Sequence, residues 1–235
     1  MIFLKQIKIL SLGDESVRTT HNYLPKIARC DSCDIVAGTA FKAGATLKTH
    51  IESLSADLKD YCFICNKEGS VRFDTTENTS LSQALDWLSW DFVIIHQSFS
   101  SAGDADSYIP YASELEKMIK EICPCAKVVL NVPYVNGAFE ACSNAMKNSD
   151  IRIILPVYEA WKAAENNGIC LSDENVTLSS RENDFLTACV CYEVLTGNDV
   201  SRSNYRLPFV ESDVTAGIKK AVHSVVNSVR CFYGR

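Results

Sequence analysis

The 235-residue chain contains no stretch approaching the ~18–20 continuous apolar residues of a membrane-spanning helix. It has no long basic run either. Its net charge of -6 argues against a nucleic-acid groove, because phosphate binding needs clustered Lys and Arg. Neither nucleic acid nor membrane is an expected partner. Internal repeats, low-complexity tracts and domain-length linkers are missing, so residues 1–235 read as a single domain. The opening stretch Met1–Lys8 is apolar, but lysines interrupt it, and it lacks a continuous apolar core and a small-residue cleavage site. It does not read as a secretory signal, and a cytoplasmic location is expected.

What is present begins with an ordinary globular balance of 47% apolar and 22% charged residues. Eleven cysteines is a high and odd count. Without a secretion signal, reduced thiols are expected rather than a disulfide framework. Two C-x-x-C pairs, Cys30/Cys33 and Cys62/Cys65, invite a zinc reading, since four thiolates would complete a tetrahedral site. Against it, Cys62 and Cys65 lie in an apparent strand, where a spacing of three points side chains to opposite faces. The gap between the pairs also exceeds that of a compact zinc ribbon. The cysteines, including Cys189 and Cys191 on a helical segment, read as small buried hydrophobes. No metal and no cofactor is expected, and a zinc-stabilised interaction module would rest on the cysteines alone.

Five short apolar runs set the architecture: Ile7–Leu12, Asp34–Ala37, Phe92–Gln97, Lys127–Val132 and Ile151–Val157. Most are rich in Val and Ile and nearly continuous in apolarity, as parallel strands covered on both faces should be. Helical patterns separate them at Val17–Arg29, Leu47–Leu58, Leu81–Leu88, Ala112–Ile122 and Phe139–Lys147. Such alternation predicts an α/β protein with a parallel five-stranded sheet covered on both sides. Tyr61–Asn66 and Ser70–Thr75, joined across Lys67-Glu68-Gly69, read as a small inserted β-hairpin. Two further helices follow around Asp184–Thr196 and Val214–Cys231. In the last, Val214, Ile218, Val222, Val225, Val226 and Val229 form a core-packing stripe.

In an open parallel sheet the ligand crevice lies beyond the carboxyl ends of the strands. That selects the loops Gly13–Ser16, Gly38–Gly44, Gln97–Gly103, Pro133–Gly137 and Tyr158–Ala160. Tyr108, Tyr134, Tyr158 and Trp161 fall on or near these loops and could stack on a sugar ring, whereas Trp87 and Trp90 read as core.

The content and order of these loops resemble the SGNH (GDSL-type) hydrolases, and more closely a bacterial branch whose first block reads roughly I-G-N-S-F-S. Ile9-Leu10-Ser11-Leu12-Gly13-Asp14-Glu15-Ser16 aligns with that block, and Tyr23-Leu24 continues it. The second block resembles Gly44-Ala45-Thr46-Leu47-Lys48-Thr49-His50. The third resembles Asp91–Gly103, with His96 and Gln97 where the branch has Gln-Gln. Pro156-Val157-Tyr158-Glu159-Ala160-Trp161 is similar to the segment after the fifth strand. The final block, approximately D-G-x-H-L-S and then W-Y-E-x-L-T-G, resembles Glu174-Asn175-Val176-Thr177-Leu178-Ser179 and Cys191-Tyr192-Glu193-Val194-Leu195-Thr196-Gly197. The resemblance spans nearly the whole chain. It implies a three-layer α/β/α, flavodoxin-like fold of the SGNH hydrolase kind.

It also implies where chemistry would sit. Ester hydrolysis needs a nucleophilic serine, a histidine base, an orienting acid and oxyanion donors. Here the nucleophile position is Glu15, the base position Thr177 and the acid position Glu174. The donors would be the backbone N–H of position 15, that of Gly44 and the side chain of Gln97. Gly13, Asp14, His50, His96 and Tyr158 join Gly44 and Gln97 as expected binding residues. The donor framework is kept while the proton-transfer pair is replaced. Ser16 stands one residue too far along a tight turn, where misplacement by about an ångström costs on the order of 100-fold in rate. The chain's four histidines are His21, His50, His96 and His223. His96 is the best placed to replace the base, since it should open onto the crevice, and His223 has no functional case. Glu15 would sit comfortably over backbone donors at a helix N-terminus, or pair with Glu174 or Asp173 as acid and base. A catalytically degenerate protein holding a small polar ligand, such as an acylated carbohydrate, is the expected function. The alternative is an active ester hydrolase using Ser16 or a water held by Glu15.

Overall fold

The structure is a computed structural model and describes residues 6–14, 17, 22–67, 70–171 and 181–233. Its centre is β1 (Gln6–Gly13), in which Ile9, Leu10 and Leu12 are all fully buried. Successive residues of a strand face opposite sides, so this run requires cover on both. β2 (Asp34–Phe41) and β5 (Phe92–Ile95) flank β1 in parallel, followed outward from β5 by β6 (Lys127–Asn131) and β7 (Ile153–Leu155). Gly13 lies opposite Phe41 and Leu12 opposite Ile95, which brings the carboxyl ends of β1, β2 and β5 level.

The sheet is wider than the sequence predicts. β3 (Tyr61–Asn66) pairs antiparallel with β2, and β4 (Phe73–Thr79) with β3, giving seven strands in the order β4-β3-β2-β1-β5-β6-β7. The hairpin is thus part of the sheet, and its second strand starts at Phe73 rather than Ser70. The cause is the free edge of β2, whose backbone N–H and C=O groups need partners that the hairpin supplies.

Eight α-helices among the described residues cover this sheet. α1 (Leu24–Cys30), α6 (Val157–Asn166), α7 (Arg181–Thr196) and α8 (Ser212–Tyr233) pack with Ile7, Ile9, Ile35, Ala37, Ile94 and Val129 on one face. α2 (Leu47–Ser55), α3 (Leu81–Asp86), α4 (Tyr111–Ile122) and α5 (Ala138–Lys147) pack with Leu10, Leu12, Val36, Val93, Ile95 and Leu130 on the other. The result is a three-layer α/β/α arrangement. On α8, Ile218, Val222 and Val226 of the apolar stripe are buried, with Val214 and Val225 packed at its border. Among the described residues no helix is long and apolar enough to cross a membrane.

Several local expectations fail. β2 continues to Phe41, so the first part of the expected loop Gly38–Gly44 is strand; β5 ends at Ile95 rather than Gln97; and Asn22 and Tyr23 form a turn ahead of α1, within the expected helix Val17–Arg29. The apolar run Ile151–Val157 is not all strand: β7 ends at Leu155, and the presumed loop Tyr158–Ala160 is the first turn of α6. Pro156 stands at the N-cap, where its missing N–H costs nothing, and the N–H of Tyr158 donates to the Val132 carbonyl at 3.1 Å. Trp87 is not core either. It is 56% exposed with its ring against Phe63, while Trp90 is buried and donates to the Ala84 carbonyl.

Candidate functional site

The loops beyond the strand carboxyl ends are held together by a small set of bonds. The N–H of Lys42 donates to the Gly13 carbonyl at 3.0 Å, closing the loop after β2 onto the end of β1. The N–H of His96 donates to the Leu12 carbonyl at 3.0 Å, extending the β1–β5 ladder by one rung. The buried carboxylate of Asp14 accepts from the N–H of Phe99 at 3.3 Å, tying the first turn to the loop after β5. A β-carbon on Gly103 would lie 2.8 Å from the Asn136 carbonyl, so the loops after β5 and β6 are also in contact.

Gln97 is the strut of this region. Its Oε1 accepts from the N–H of Leu47 at 3.2 Å and from that of Ser98 at 3.0 Å, while its Nε2 donates to the Ser107 carbonyl at 2.7 Å. It fixes the N-terminus of α2 against the loop after β5. Thr46 caps that helix through the N–H of Thr49, so the positive end of the α2 dipole lies beside the loop after β5 that Gln97 holds. Gly44 precedes it with φ of +62°, exposed and with open space where a side chain would be.

His96 and His50, the two histidines expected to bind, do not stand open to solvent. His96 is 3% exposed, packed under Gly13 rather than opening onto the crevice as expected. His50 is fully buried on α2, its Nδ1 at 2.7 Å from the Tyr61 hydroxyl, and its Nε2 has no hydrogen-bond partner among the described residues. Burial, aided by the nearby Lys42 cation, pushes its pKa down to about 3. Lys42 itself is held by Asp60 at 2.6 Å and Ser53 at 2.8 Å. His50 is therefore a neutral structural imidazole at neutral pH.

The aromatic side chains divide. Tyr108 is fully buried, so it cannot be a stacking platform. Tyr134 meets Phe99 at 5.3 Å between ring centroids. Phe99 is 38% exposed and escaped the sequence reading, although an aromatic residue inside the polar run Ser98–Ser101 was a visible signal. Tyr158 and Trp161 stack along the α6 surface at 6.4 Å, with the Lys162 ammonium 4.2 Å from the Tyr158 ring centroid. Between them in sequence, the Glu159 carboxyl is held above the ordinary carboxylate range, chiefly by desolvation.

Glu15, Ser16, Glu174 and Thr177, with Asp173 and His21, lie outside the described residues. Among the described residues, the cluster of His, Cys, Asp and Glu that converges is Glu193, Asp199 and His223, with no cysteine in it. Cys30 is exposed, Cys33 and Cys62 are buried, and burial lifts the half-buried Cys65 thiol to about 11.

By sequence, no family model and no curated protein matches the chain. Solved structures do. A DUF4886 family protein from Bacteroides uniformis is similar with a TM-score of 0.89 at 18% identity, over 95% of both chains. A candidate SGNH hydrolase from Slackia heliotrinireducens is similar with a TM-score of 0.50 at 18% identity, over 81% of this chain and 100% of its own. A family 3 carbohydrate esterase from Clostridium thermocellum gives 0.51 at 12% identity, over 82% and 96%. The chain has an SGNH-hydrolase-like fold.

Proposed function

We propose that the protein binds a small polar ligand, of the acylated-carbohydrate class, in the crevice beyond β1, β2 and β5, and does not hydrolyse it. The observation that carries this reading is the bonded framework around Gln97. It holds the α2 N-terminus, the loop after β5 and the end of β1 in one place, as a site for an oxygen-rich ligand requires. Phe99 and Tyr134 offer an apolar ring edge beside it. The esterase-type neighbour supports the ligand class. Loss of hydrolysis is supported by the sequence, where Glu15 and Thr177 stand at the serine and histidine positions of the resembling family.

The test has two arms. Wild-type protein should show no turnover of short-chain p-nitrophenyl esters, while an acetylated xylo-oligosaccharide should perturb its NMR spectrum at residues of the crevice loops. In the folded double variant Glu15→Ser with Thr177→His, some ester hydrolysis should appear. Turnover by the wild type that disappears in both Ser16→Ala and Glu15→Ala would overturn the non-catalytic reading. A double variant that folds yet hydrolyses nothing would overturn the residue assignment.

A further inference from the structure

Away from the crevice, α7, the short 3-10 turn Val200–Arg202 and α8 bring three ligand-type side chains to one point. His223 Nδ1 lies 2.8 Å from Glu193 Oε1 and 3.0 Å from Asp199 Oδ1, and the three atoms fall within 4.8 Å of one another. From these positions we infer that Glu193, Asp199 and His223 bind one divalent first-row cation through one nitrogen and two carboxylate oxygens, clamping α7 to α8.

The distances suit a cation. Bonds of ~2.0–2.2 Å to nitrogen and oxygen place neighbouring ligand atoms about 3 Å apart. The proton count also suits it. One ring nitrogen carries at most one hydrogen, yet here it faces two carboxylates. A single N–H can only be shared between the two, whereas a divalent ion would bind all three atoms at once.

The surroundings hold the ligands in orientation. The N–H of Val200 donates to Glu193 Oε2 at 3.0 Å, leaving Oε1 turned to His223. Asp199 is fixed by the N–H of Ser201 at 2.9 Å and its hydroxyl at 2.6 Å on Oδ1, and by Arg202 Nε at 3.0 Å on Oδ2. His223 Nε2 meets the Asn227 side-chain amide at 3.0 Å. A half-turn of that amide presents its oxygen, which accepts Nε2–H once Nδ1 is bound to metal.

Exposure completes the picture. The Glu193 side chain is 1% exposed, so water screens little of its interaction with an ion bound there. Asp199 and His223, at 24% and 32%, leave one side open for water ligands. Imidazole with carboxylates and no thiolate selects an ion of the Mn2+, Co2+ or Zn2+ kind over copper(I) or an all-oxygen calcium site.

Because the eleven cysteines would compete for zinc, the probe is Mn2+, which has little affinity for thiolates. Titrating the full chain with Mn2+ and following the free-ion EPR signal should reveal one bound equivalent. Thermal unfolding should move upward as Mn2+ is added. His223→Gln and Asp199→Asn, both near-isosteric and checked for folding by circular dichroism, should each weaken binding at least ten-fold and abolish the thermal shift. Cys30→Ser with Cys33→Ser should change neither. No binding by the wild type at millimolar Mn2+ would overturn the inference. So would binding that survives undiminished in either folded ligand variant.

Discussion

A β-carbon built on Gly13 would lie 2.6 Å from Val17 Cγ1 and 2.9 Å from His96 Cβ, both in buried side chains. No rotamer relieves a backbone-attached methyl there, so β1 or its neighbours must shift. Gly13→Ala should destabilise by about 1–3 kcal/mol in urea unfolding, in the range of overpacked cores. At Gly44 the same substitution meets open space but a φ of +62°, and should cost nearer 1 kcal/mol from strain alone. His50 argues at the same scale through protons. Its pKa, about 3 when folded against 6.5 for an unperturbed histidine, means that the unfolded chain binds the proton first as pH falls. Its contribution is fully present above pH 6.5 and is lost between 6.5 and 3. The slope approaches about 1.4 kcal/mol per pH unit inside that window. Urea midpoints at several pH values should show that slope in the wild type and a flatter one in His50→Leu; equal slopes would mean that the imidazole is hydrated or already charged.

At the level of elements, Asn66 shows why the seven-stranded sheet could not be read from the sequence. The β2–β3 ladder runs from Phe41 paired with Cys62 to Gly38 paired with Cys65 and then stops. There the Asn66 side chain takes over. Its Oδ1 accepts from the N–H of Ala37 at 2.6 Å, and its Nδ2 donates to the Ile35 and Ser70 carbonyls at 3.2 and 2.7 Å. One amide imitates a strand residue and fastens the hairpin to β2. Asn66→Ala leaves buried backbone groups without partners, which cost ~1–3 kcal/mol apiece. A loss of about 3 kcal/mol is expected, with the largest rise in hydrogen exchange along β3. By contrast, the parallel strands were legible, because burial on both faces writes itself as continuous Val and Ile in runs such as Phe92–Ile95. The β7–α6 boundary was not, since the apolar run crosses Pro156 without a break and nothing in its periodicity marks the change. The candidate site was legible only in its order. The positions of Gly13, Gly44 and Gln97 along the chain placed the loops, but whether His96 faces solvent depends on packing under Gly13.

Over the whole molecule, stability should fall off from the middle of the sheet to one edge. β1 has a strand on each side and a helical layer on each face, whereas β4 has one neighbour among the described residues and five consecutive exposed residues, Asp74 to Asn78. Asp74 and Glu77 put negative charge along that edge, and Asp74 pairs with an exposed lysine, Lys67, at 3.0 Å. Such charges discourage edge-to-edge pairing between copies, because bringing two β4 strands together would align like charges. Native-state hydrogen exchange should therefore give the slowest amides in β1, β5 and β6, opening only with global unfolding. The β4 amides turned away from β3 should exchange far faster, at a rate independent of protein concentration. Protection of β4 equal to that of β1, or growing with concentration, would mean that another strand covers the edge and that its charges do not keep copies apart.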